Sequence, residues 1–159
     1  GIELEFTDGA LQGLADRGQD ERTGARGLVS AVERVLLSYE CRLPSLDIEY
    51  FQVTEEIVAD PEGMLETFVR RQSLESFCRR FQQDHGVCLK FDQPAIDWIL
   101  TTAIDQQRLP GELCTDLFAD YGHGLKLLEI GELLVDEQIA QAPAETLDRM
   151  IREYYARGS

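Results

Sequence analysis

The sequence predicts an α+β protein of two tandem small units, helix-rich, each with helices packed on a small sheet. Three observations carry this. A chain of 159 residues has room for one large domain or two small ones. Its apolar positions switch between the period of two of a strand and the 3.6 period of a helix. The chain also resembles itself. Shifted by 82 residues, positions 32–71 fall on 114–153 without a gap and ten of the 40 are identical, among them Tyr39/Tyr121, Val53/Val135, Pro61/Pro143 and Leu65/Leu147. At the start of the chain the shift is 85, with Leu4 and Phe6 on Leu89 and Phe91, so the second copy lacks three residues before its second helix.

The elements follow in order. Ile2, Leu4 and Phe6 alternate with Glu3 and Glu5, which predicts a half-buried strand. Thr7 or Asp8 can cap a helix with Ala10, Leu11, Leu14 and Ala15 on one face. A glycine-containing loop leads to a second helix striped by Leu28, Val32, Val35, Leu36 and Tyr39, stopping before Pro44. A strand over 48–53 and a turn through Pro61 precede a third helix bearing Leu65, Phe68 and Val69. Its stripe changes phase near Ser73, where a break is expected, and Gly86 ends it. The expected division is therefore 1–71 as the first domain, 72–86 as a helical connector and 87–159 as the second domain. In the second domain a strand over 87–91 is followed by Asp92 as N-cap and Pro94 in the first turn. Ile96, Ile99, Leu100, Ala103 and Ile104 make one face; Leu113, Leu117, Phe118 and Tyr121 repeat the second helix. Leu133–Val135 repeat the second strand, and Pro143 opens a last helix with Leu147, Met150, Ile151 and Tyr154 inward.

Composition narrows the function. Thirty acidic against 15 basic side chains leave a net charge of −15, unsuited to a polyphosphate backbone or an anionic membrane, so neither nucleic acid nor membrane is an expected partner. No uncharged stretch exceeds seven residues, and no secretory pattern opens the sequence, which points to a cytoplasmic protein. Cys41, Cys78, Cys88 and Cys114 form no C-x-x-C pair and read as small buried hydrophobes in a reducing compartment. His85 and His123 each adjoin a glycine at an expected helix end, and no second ligand is spaced to join either, so no metal site is expected.

Residues 21–28 read Glu-Arg-Thr-Gly-Ala-Arg-Gly-Leu. With Leu4-Glu-Phe-Thr-Asp-Gly-Ala-Leu before them, and Val32-Glu33, Leu36-Leu37, Leu43-Pro44-Ser45 and Val53-Thr54 after, they resemble the C-terminal small (lid) domain of ClpX-like AAA+ unfoldases of the Clp/Hsp100 group. The likeness covers roughly residues 2–62; residues 63–159 have no counterpart in the usual ClpX architecture. The resemblance implies that Arg26 is the sensor-2 arginine, supported by Gly24, Ala25 and Gly27, reaching ATP phosphates held by a large domain. A guanidinium fork suits phosphate oxygens, and a cation at a helix start is disfavoured unless an anion meets it. The bland alternative is a solvated arginine, or one paired with Glu21 or Glu33. Arg108 is the counterpart at the 82-residue shift, but the Gly-Ala-Arg-Gly-Leu setting is lost, so the second unit is expected to be degenerate and without nucleotide contact.

The family further implies ATP as cofactor, with Mg held mainly by the large domain and nothing bound tightly here. It implies a homo-hexamer in which the small domain meets large domains of its own and the neighbouring subunit, protein substrates, and possible pairing with a ClpP-like peptidase. No G-x-x-x-x-G-K-[ST] loop and no Walker B strand occurs, so the stretch is not expected to be an enzyme by itself, while an AAA+ ATPase is expected of the full-length protein. The function read from the sequence is a nucleotide-sensing lid coupling ATP turnover to ring motion. The alternative is a protein-interaction module recruiting a substrate, an adaptor or a subunit.

Overall fold

A computed structural model describes residues 2–20, 25–45 and 48–157. Contacts divide the chain into Gly1–Val69 and Arg70–Ser159. Each unit is built on a two-stranded parallel sheet, helix-rich around it, as the sequence predicts. In the first, β1 (Glu3–Phe6) pairs with β2 (Tyr50–Val53), Glu3 opposite Tyr50 and Phe6 opposite Val53. Parallel strands require a crossover, and here it is helical: α1 (Asp8–Asp20) and α2 (Ala25–Arg42). A single 3₁₀ turn, Leu43–Ser45, follows α2. The short α3 (Glu55–Ala59), where the sequence suggested only a turn, and α4 (Pro61–His85) come next. Thr7 caps α1, its hydroxyl accepting from the Ala10 N–H at 3.2 Å, while its own N–H extends the sheet to the Val53 carbonyl at 3.1 Å.

The second unit has the same order. β3 (Cys88–Phe91) pairs in parallel with β4 (Glu132–Val135), Phe91 opposite Val135. Between them lie α5 (Gln93–Asp105), α6 (Pro110–Leu117) and α7 (Tyr121–Leu127); α8 (Glu137–Gln141) and α9 (Pro143–Arg157) follow. Asp92 takes the place of Thr7: its carboxylate accepts from the Ala95 N–H at 2.8 Å, and its own N–H donates to the Val135 carbonyl at 3.1 Å. The counterpart of α2 is interrupted at Phe118–Asp120, so two helices stand where the sequence suggested one. Gly122 and Gly124 weaken helix propensity just beyond the break.

Position by position the two cores correspond. Ala10, Leu14, Tyr39 and Val53 are buried in one; Ala95, Ile99, Tyr121 and Val135 are buried in the other. The tyrosines act alike. The Tyr39 hydroxyl donates to the Pro61 carbonyl at 2.9 Å and the Tyr121 hydroxyl to the Pro143 carbonyl at 2.8 Å. Each fastens the second helix of its unit to the start of the last one.

Helix α4 is continuous through Ser73, without the expected break. No Gly or Pro lies between Met64 and His85, so nothing in the backbone forces an interruption. The phase change marks a change of core instead: Leu65 and Val69 belong to the first, and Leu74, Phe77 and Phe81 to the second. The stretch 72–86, expected as a connector, thus supplies core residues as far as Phe81. Other positions also differ from expectation. Leu28, Ile104 and Tyr154 are exposed rather than inward, and Cys41 is exposed at the end of α2. An 18-residue α2 turns several apolar positions past the width of its buried stripe. His123 sits within α7, not at its end. All four cysteines are free thiols.

Burial pushes the Tyr39 phenol up to about 12, with the Asp60 charge adding to it, and pushes Tyr121 to about 12 against the opposing pull of Arg149. The unfolded chain ionises its tyrosines near pH ~10, so the stabilisation tied to the neutral phenols is full below that pH and lost as pH rises through ~12. Urea midpoints measured from pH ~8 to ~12 should fall above pH ~10, and more shallowly in a Tyr39→Phe/Tyr121→Phe variant. At neutral pH each single Phe substitution should cost about 1 kcal/mol.

Candidate functional site

The residues singled out in the sequence centre on the start of α2. Gly24 lies outside the described residues, and Ala25 is the first residue of the helix. Arg26 stands in the first turn of α2, exposed, in a turn without acidic residues. Among the described residues it has no ion-pair partner; Glu21 lies outside them. Its guanidinium is thus displayed at a helix start, whose macrodipole also favours an anion.

Gly27 is buried, and the reason lies on α1. A Cβ on Gly18 would come within 3.0 Å of the Leu28 backbone, so Gly18 lets the last turn of α1 close onto the first turn of α2. Gly18 was missed by motif reading. Its signal was available, because a glycine inside a helical pattern usually has a packing reason. The contact fixes the first turn of α2 and hence where Arg26 points. Arg17, one residue earlier, donates to the Ala59 carbonyl at 3.1 Å and ties α1 to α3.

Arg108 is placed quite differently. It precedes α6 instead of lying within it, because Gln107 adopts φ 54° and the helix starts only at Pro110. Its guanidinium donates to the Asp116 carboxylate at 2.6 Å and to the Glu112 carbonyl at 3.2 Å. Its own carbonyl accepts from Arg70 at 3.4 Å. The start of α6 is also taken: the Gly111 N–H donates to the Ser73 hydroxyl of α4 at 3.0 Å. At the 82-residue shift Asp116 stands where the first unit has Arg34, so the partner that holds Arg108 has no analogue for Arg26. Ser73 and Asp116 could not be found from the sequence, since both act across elements.

The remaining chemistry is sparse. Among the described residues no cluster of three or more His, Cys, Asp or Glu could hold a metal ion. Cys78 and Cys114 are pushed up to about 11 and about 12, chiefly by burial, which makes both poor nucleophiles. Glu55 and Glu56 lie in the first turn of α3, where carboxylates suit the helix start. Among the described residues no helix is long and apolar enough to cross a membrane.

Because a Cβ at position 18 meets the Leu28 backbone, Gly18→Val should destabilise the first unit by about 1–3 kcal/mol, measured by urea denaturation, although valine is a better helix former than glycine. An equal substitution at exposed Gln19 should cost under about 0.5 kcal/mol.

Residues 1–39 match the family model of the C-terminal, D2-small domain of ClpB protein. Over 45 residues the chain is 44% identical to the ATP-dependent Clp protease ATP-binding subunit ClpX 2 of Wolinella succinogenes, a match covering 28% of this chain and 11% of that protein. The chain therefore corresponds to only a small part of the relative's length. No solved structure matches the chain significantly. The start of the chain, the part that holds β1, α1 and most of α2, is thus similar to the C-terminal small domains of Clp ATPases.

Proposed function

We propose that the first unit is the nucleotide-sensing lid of a ClpX-like ATP-dependent unfoldase, with Arg26 as its sensor-2 arginine. The observation that carries the reading is the exposed Arg26 in an acid-free first turn of α2, within the stretch that matches the Clp small domains. In the longer polypeptide this implies, a large domain binds ATP with Mg, and Arg26 reaches from the lid to the phosphates. Gly18 sets the direction of that reach, and Gly27, buried beneath, keeps the first turn against α1. Closure on ATP then turns the small domain as a body and passes the motion to the neighbouring large domain of a hexameric ring. Protein substrates, and a ClpP-like peptidase as partner, belong to the same proposal, as does a cytoplasmic location.

The second unit we read as a duplicated copy without nucleotide contact. The matched element order, the paired tyrosines and the equal strand registers support duplication. The ties on Arg108 and the Ser73 bond at the start of α6 support the loss of sensing. Such a copy has room for a second role, the recruitment of a substrate, an adaptor or a subunit.

The test is ATP turnover by the ATPase polypeptide that contains this chain. Arg26→Ala should lower turnover about tenfold or more, at least roughly 1.4 kcal/mol of transition-state stabilisation, with the ring intact by sedimentation. Arg108→Ala should leave turnover within about twofold. Unchanged turnover in Arg26→Ala would overturn the lid reading, and loss in Arg108→Ala would overturn the degenerate reading of the second unit.

A further inference from the structure

The two units differ in what covers the outward face of the second helix. In the second unit α4 lies over it. Ser73 meets Gly111, Phe77 lies 6.2 Å from Phe118 between ring centroids, and the His85 ring sits against Gly122. Cys114 and Phe118 are fully buried as a result. At the 82-residue shift these positions of α6 and α7 correspond to Val29, Val32, Leu36 and Glu40 of α2. In the first unit Leu36 is buried in that unit's own core, but among the described residues nothing covers Val29, 56% exposed, or Leu37, the counterpart of Ala119, 63% exposed.

Spacings of four and eleven residues put the exposed Val29, Glu33 and Glu40 on one side of α2, with exposed Leu37 beside them and buried Leu36 beneath. The open face thus has two apolar side chains, Val29 and Leu37, with two carboxylates set beside them. Where it has Glu33 and Glu40, the covered face has Thr115 and Gly122. The charge around it has the same sign: residues 1–69 hold fifteen acidic and five basic side chains.

We propose that this face docks a basic amphipathic helix of a partner polypeptide, with large apolar residues three, four and seven positions apart and arginine or lysine between them. The second unit displays the pattern of such an occupant: Leu74, Phe77 and Phe81 directed into its core, with Arg79 and Arg80 between the two aromatics. The apolar residues cover Val29 and Leu37, and the basic ones meet Glu33 and Glu40. The contact is reversible. A Cβ at Gly111 would overlap the Ser73 carbonyl, and one at Gly122 would overlap the His85 ring, so α4 lies close on α6 and α7 only because both are glycine. Val29 and Glu40 at the matching positions hold a visiting helix further out. The inference does not depend on Arg26 sensing nucleotide.

The probe is a fluorescent peptide of residues 71–86 carrying Glu75→Gln, Cys78→Ser and Asp84→Asn, which retains its three arginines and has no acid. Titrated against the intact 159-residue chain, it should bind saturably, and more weakly as salt is raised. Val29→Asp and Leu37→Asp should each weaken it at least about tenfold, and Glu33→Lys/Glu40→Lys at least about fivefold, while Leu134→Asp leaves it unchanged. All these side chains are exposed, so the variants should keep the parent urea midpoint, which is measured alongside. No saturable binding up to about 1 mM, or equal affinity for the α2 variants and Leu134→Asp, overturns the proposal. So does concentration-dependent self-association abolished by Leu37→Asp, since a second copy would then be the occupant.

Discussion

Each unit depends on a four-residue parallel strand pair that cannot exist by itself. Two parallel strands of this length offer few ladder bonds, and their ends can meet only through a long connection. In the first unit that connection is α1 and α2, more than thirty residues whose ordering must be compensated by burial. The sheet and the helices therefore stand or fall together. Tyr39 closes the arrangement from the other side, since its hydroxyl reaches the Pro61 carbonyl, beyond β2. The phenol links crossover to exit, and its ring lies 5.1 Å from that of Phe51 on the strand between. Tyr121 repeats the link with Pro143, although the helix that bears it is broken. The sheet pairing and the tyrosine link persist where helix continuity does not, which identifies them as the constraint and the helix as the adaptable part.

Much of this was legible in the sequence because it rests on local periodicity. The alternation of Ile2, Leu4 and Phe6 marks a strand whatever it pairs with, and Asp92 before Pro94 marks a helix start whatever the helix packs on. The repeat extended that reach, since a pattern found twice is better determined than one found once. What failed was decided across elements. The phase change at Ser73 looks the same whether a helix bends or passes between two cores, and only tertiary contacts choose. Ile104 and Tyr154 sit at helix ends, where a stripe leaves its partner and periodicity no longer implies burial. At the candidate site Arg26 was visible through its motif. Gly18, Ser73 and Asp116 were not, because each matters only through a residue at least eight positions away.

The differences between the units follow from small changes in side-chain size and charge at matched positions. Three fewer residues before α6 shift the helix start, so that Arg108 falls outside the first turn. An aspartate in place of an arginine then holds its guanidinium. Two glycines allow α4 to lie on α6 and α7, and a hydroxyl from α4 takes the Gly111 N–H. Each step uses up a group that an anion or a partner would otherwise need. In the first unit the same positions hold Val29, Arg34 and Glu40, which block close helix approach and put an arginine where the second unit has the aspartate that holds Arg108. A face closed by its own chain gains permanent burial and gives up exchange. One kept open gives up that burial, tolerates exposed Val29 and Leu37, and remains able to engage and release. On the lid reading proposed for the first unit, motion with each nucleotide needs the second arrangement, while a unit without nucleotide contact can adopt the first.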